Sequence, residues 1–94
     1  MKIILEDSFK SALKSEGKNT VTIDLSGCSE WGAGEVTPIV KLEEPSNKDD
    51  YDLYEVDGFK VYVFVAVRAM DDTLTLKFKK ILFKKLYLVE GVIK

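Results

Sequence analysis

Histidine is absent from these 94 residues, and with it the commonest general base and the commonest metal ligand. A Ser-His-Asp or Cys-His catalytic arrangement is thereby excluded. Cysteine occurs once, at Cys28, so no internal disulfide can form and the fold does not depend on an oxidising compartment. A zinc site built from several Cys or His ligands is excluded on the same ground. No Walker-type phosphate loop is present, and Gly27, Gly32 and Gly34 do not match a dinucleotide fingerprint. The longest apolar run, VYVFVAV at residues 61–67, is far shorter than the roughly 20 residues that cross a bilayer. Met1-Lys2-Ile3-Ile4-Leu5 meets Glu6 and Asp7 before a hydrophobic region develops, so no signal peptide is read and a cytoplasmic location is expected. The expectation is a single domain spanning residues 1–94 that is not an enzyme, with no membrane and no nucleic acid as partner.

What is present is an ordinary globular balance, 46% hydrophobic and 32% charged. The net charge of −2 hides an asymmetry: residues 1–72 carry fifteen acidic and eight basic groups, residues 73–94 six lysines and one glutamate. Lys77, Lys79, Lys80, Lys84 and Lys85 interleave with Leu76, Phe78, Ile81, Leu82, Phe83 and Leu86. That spacing reads as the wet side of a packed element, and no arginine accompanies these lysines as nucleic-acid recognition would favour.

Patterning predicts a mainly β, α+β architecture. Residues 1–5 read as a short extended lead. Asp7 or Ser8 can cap a helix running to about Ser15, with Phe9, Ala12 and Leu13 on one face and Gly17 just past its end. TVTIDL at residues 20–25 alternates with a period of two, placing Val21, Ile23 and Leu25 on one side of a strand. Residues 36–42 resume an extended pattern in which Pro38 suggests an edge or a strand start. EEPSNKDDYD at residues 43–52 reads as a polar surface loop. Asp57-Gly58, between strands at residues 51–56 and 59–67, signals a type I′ hairpin, and the apolar second strand predicts cover on both faces. Asp71-Asp72 marks a turn before a strand with Leu74, Leu76 and Phe78 on one side. Residues 79–85 fit either strand or helical turns, and LYLV at 86–89 closes as a strand.

Chemistry concentrates in LSGCSEWGAGE, residues 25–35, which holds Cys28, the sole Trp31 and three glycines. A strand-end loop on a rigid sheet is a common place for functional groups, and a free cysteine is equally well accommodated as a small buried hydrophobe. Glu30 would raise the thiol pKa, and no adjacent cation lowers it. Trp31 reads as a ligand shield or as a lid on the core. Glu30 and Glu35 read as solvated acids or as hard oxygen ligands. The pairs Glu43-Glu44, Asp49-Asp50 and Asp71-Asp72 read as solvated turn acids.

Several segments together resemble the HesB-like domain of the A-type iron–sulfur carriers, including a short branch with a Cys-Cys or Cys-selenocysteine pair in the strand-end loop. They are the helical segment at residues 7–18, VTIDLSGCS (21–29), DDYDLYEVDGFKVYV (49–63), DDTLTLKF (71–78) and LYLVEG (86–91). The resemblance implies a compact β-sandwich or pseudo-barrel of about six to seven strands with one N-terminal helix, usually dimeric. It implies a role in iron–sulfur cluster biogenesis, with iron or a cluster shared between subunits of a homodimer and with assembly or acceptor proteins as partners. Cys28 matches the first conserved cysteine and is the sole thiolate available as metal or cofactor ligand. The downstream Cys-Gly-Cys is missing, and the second thiol position of the short branch falls at or near Ser29, so the implied form is degenerate. An interaction or scaffold domain working through Trp31 or the lysine-rich C-terminal part is the alternative, as is a single-thiol redox sensor.

Overall fold

Phe9, Ala12 and Leu13 recur with helical spacing, and the chain winds there into α1, Asp7–Ser15, laying those three buried side chains on the sheet system beneath. The computed structural model describes residues 1–26 and 37–93. Within them, the helix lies between β1 (Lys2–Leu5) and β2 (Thr20–Ser26), and the chain continues through β3 (Thr37–Lys41), β4 (Tyr51–Val56), β5 (Phe59–Phe64), β6 (Thr73–Ile81) and β7 (Lys84–Glu90). One sheet has the order β1-β6-β7, the other β3-β2-β5-β4. The described residues form two sheets around a shared core and no closed barrel, a mainly β fold with one α-helix.

Burial explains the strand pattern. Val21 and Ile23 of β2, Val61 and Val63 of β5, and Leu74 and Leu76 of β6 are buried together with Phe9 and Leu13. The opposite edge of the core is aromatic: the Tyr87 ring stands perpendicular to Phe9 at 5.8 Å and packs at 5.1 Å from Phe78. Removing any one of these large side chains opens a cavity in a core with little mass to collapse into it.

The structure refines some local expectations and corrects others. The extended lead is a paired strand, β1, running parallel to β6 with Lys2 opposite Thr73 and Leu5 opposite Leu76. That pairing moves the helix start: Glu6 donates its N–H to the Leu76 carbonyl while its own carbonyl accepts from Lys10 N. Glu6, rather than Asp7 or Ser8, is thus the N-cap residue, and its side chain makes no capping hydrogen bond. The second apolar strand stops at Phe64: Val65 N still bonds Asp50 O in the β4–β5 register, and the chain then turns, with Val67 N bonding Phe64 O. Residues 79–85, which fit either strand or helical turns, are strand at 79–81 and 84–85, with only Leu82-Phe83 in the turn. They form the tip of the β6–β7 hairpin, with Ile81 opposite Lys84.

Turn chemistry accounts for the other connections. Asp57 and Gly58 both take positive φ, 52° and 85°, as a type I′ hairpin requires. Asp71 and Asp72 also lie in the left-handed region, at 53° and 55°, which short polar side chains tolerate.

Candidate functional site at the exit of strand β2

β2 is an inner strand, held antiparallel to β3 and parallel to β5, so its C-terminal end is a rigid point of departure for the chain. Cys28 follows Ser26 by two residues. Cys28, Ser29, Glu30, Trp31, Glu35 and the three glycines all fall in residues 27–36, outside the described residues. The structure therefore defines the platform from which that segment leaves.

Along β2 the side chains alternate. Val21 and Ile23 enter the core, while Thr22 and Asp24 take the opposite face. Thr22 is nevertheless buried, because residues following β3 fold over it and its hydroxyl donates to the Glu43 carbonyl at 2.5 Å. Asp24 is the one carboxylate within an otherwise Val/Ile/Leu/Thr/Ser strand. Its Oδ1 accepts from Leu25 N, and its Oδ2 accepts from the Tyr51 hydroxyl, both at 2.8 Å. Tyr51 begins β4 opposite Phe64, and its ring rests against that phenyl with centroids 5.5 Å apart. The phenol thus reaches across β5 to pin β4 to β2. The hydrogen bond to the Asp24 carboxylate, aided by burial, pushes the Tyr51 phenol up to about 12. It is a donor at any physiological pH. Beside this pair lies a cavity of about 240 Å³ walled by Thr22, Asp24, Lys41, Glu43 and Tyr51.

The acidic pairs stand where their turns put them, all exposed. Glu44 meets Lys48 at 3.0 Å, Asp50 accepts from the Asn47 amide at 2.8 Å, and Asp72 faces the terminal amine at 3.3 Å. Among the described residues, no group of three or more His, Cys, Asp or Glu is placed to hold a metal ion.

A second concavity, of about 430 Å³, lies between α1 and the β6–β7 hairpin, walled by Ser8, Ser11, Ser15, Phe78, Lys80 and Tyr87. At its rim Lys85 hydrogen-bonds Glu16, holding that carboxyl below its usual range and raising the Lys85 ammonium. Neither this groove nor the Asp24–Tyr51 pair follows from the sequence alone. The serines at i, i+3 and i+7 beside the apolar stripe of α1 are the signal for the groove, and the lone acid in TVTIDLS is the signal for the pair.

A family model described as "CC/Se motif containing family" matches residues 1–92. The chain belongs to this family. In this member of the CC/Se motif family, the matched span includes Cys28, its one sulfur-bearing cysteine, with Ser29 beside it. No curated protein and no solved structure matches the chain.

Proposed function

We propose that this CC/Se family member is a HesB-like, non-enzymatic domain of iron–sulfur biogenesis that handles iron or an iron–sulfur cluster as transient cargo, with Cys28 as its thiolate. One observation supports the reading above others. The only thiol in the chain follows an inner strand by two residues, within the span matched to a family described by a CC/Se motif.

Clusters of the common types take four thiolate ligands. One chain offers one, and a homodimer two. The described residues add no preassembled ligand set, and Asp24 is already engaged by Leu25 N and Tyr51. The remaining positions fall to a small thiol or to an assembly or acceptor protein, which suits a carrier that must release what it holds.

The test is anaerobic reconstitution with iron and sulfide, reading visible absorption and bound iron for the wild type and for Cys28→Ala. Cys28-dependent absorption with bound iron supports the reading. Identical, iron-free spectra refute it.

A further inference from the structure

The β6–β7 hairpin breaks the rules that the other hairpin of this chain obeys. Where Asp57-Gly58 supplies residues suited to positive φ, the second two-residue loop is Leu82-Phe83, with Leu82 at φ 54°. Glycine, asparagine and aspartate favour that backbone conformation, and leucine does not. Leu82 and Phe83 are 86% and 99% exposed, and neighbouring Ile81 is 53% exposed. Local turn chemistry and the hydrophobic effect both argue against this sequence at this point.

Charge indicates what the tip meets. The cross-strand register puts Lys80 opposite Lys85 on one face of the hairpin and Ile81 opposite Lys84 on the other, with Lys79 on the Lys84 side. Lysines therefore stand behind the apolar tip on both faces, Lys80 and Lys85 on the side of the groove beside α1 and Lys79 and Lys84 on the other. Lys85 pairs with Glu16, while Lys79, Lys80 and Lys84 make no ion pair among the described residues. No acidic residue occurs between Asp72 and Glu90, whereas residues 1–72 are strongly acidic. At about 3.4 Å per residue the lysines trail the tip by about 3–10 Å, comparable with the roughly 5–10 Å to which interfacial apolar groups sink.

We propose that this hairpin docks the protein end-on to an anionic lipid surface, with Leu82 and Phe83 in the headgroup–acyl boundary and the lysines among the headgroups. The convex, all-round shape fits a deformable plane, and the acidic remainder of the chain is repelled from that plane, which sets the orientation. No helix among the described residues is long and apolar enough to cross a membrane, and surface docking needs none. The inference is independent of Cys28.

The full chain is tested by co-sedimentation with phosphatidylcholine vesicles and with vesicles also containing phosphatidylserine. Binding should require phosphatidylserine and weaken with salt. Leu82→Asn/Phe83→Ser, which suits the turn and so keeps the fold, should weaken it about tenfold or more. Each of Lys79→Gln, Lys80→Gln and Lys84→Gln should cost about fivefold. Absence of binding, equal binding to both vesicle types, or full binding by the folded tip variant overturns the proposal. Self-association in sedimentation velocity that the tip variant abolishes, without vesicle binding, also overturns it and assigns the tip to a second copy.

Discussion

Replacing Gly91 by alanine should be among the most damaging single-methyl changes available in this fold. Gly91 follows β7 with φ 95°, a conformation that disfavours any side chain. A Cβ built there would lie 2.5 Å from the Thr73 carbonyl oxygen, and 3.6 and 3.7 Å from Thr73 C and Leu74 Cα. These are backbone atoms at the start of β6, which is clamped between β1 and β7 and cannot swing aside as a side chain could. The segment is held from the other direction as well, since Met70 N donates to Gly91 O at 2.6 Å and Ile93 N to Arg68 O at 2.8 Å. The left-handed backbone alone costs an alanine about 1–2 kcal/mol. Displacing the strand or the strap adds a similar amount, giving about 3 kcal/mol in all. Gly17→Ala is the control, because Gly17 also has positive φ, 68°, but nothing lies within 4 Å of its missing Cβ. Urea unfolding followed by far-ultraviolet circular dichroism should therefore place Gly91→Ala about 1–2 kcal/mol below Gly17→Ala. That gap corresponds to roughly 5–15 °C in Tm for a domain of this size. Equal losses in the two variants would refute the close approach as the cause.

Phe9→Ala, which empties a fully buried site against Tyr87, should cost about 3–5 kcal/mol in the same denaturation assay. Tyr51→Phe should cost about 1–2 kcal/mol by removing a hydrogen bond to a carboxylate. The Tyr51 phenol sits at about 12 when folded against 10.0 ordinarily, so its contribution is whole below pH 10 and is lost as the pH climbs towards 12. Wild-type stability should fall across that alkaline window, and the fall should shrink in Tyr51→Phe. Leu82→Gly relieves a left-handed leucine at a solvent-exposed tip and should stabilise the protein by about 0.5–1 kcal/mol, read as a rise in urea midpoint.

How much of this was legible depends on the range of the interactions. The α1 stripe of Phe9, Ala12 and Leu13, the alternation of Val21 and Ile23, and the Asp57-Gly58 turn are local signals, and each matches its element. β1 is four residues long, and what makes it a strand is a partner beginning at Thr73, which no window around KIIL contains. Apolar composition overstated β5, since Val65 is 57% exposed and Val67 N turns back to the Phe64 carbonyl. Residues 79–85 were ambiguous because KKILFKK satisfies both helical and strand spacing and lacks the glycine or asparagine that would announce a turn. At the candidate site, the sequence singled out Cys28 and Trp31 in residues 27–36, and the structure describes the platform beside them. The Asp24–Tyr51 hydrogen bond joins residues separated by 27 positions, and only strand order brings them together.

The parallel pairing of β1 with β6 has a bearing on biosynthesis. Lys2, Ile3, Ile4 and Leu5 are translated 71 residues ahead of the backbone partners that hold them, Thr73 to Leu76. A nascent polypeptide halted anywhere before that point holds β1 without a ladder and leaves Ile3 and Leu5 uncovered by β6. Closure of the first strand is thereby deferred until β6 has emerged, and it is then made in one non-local step.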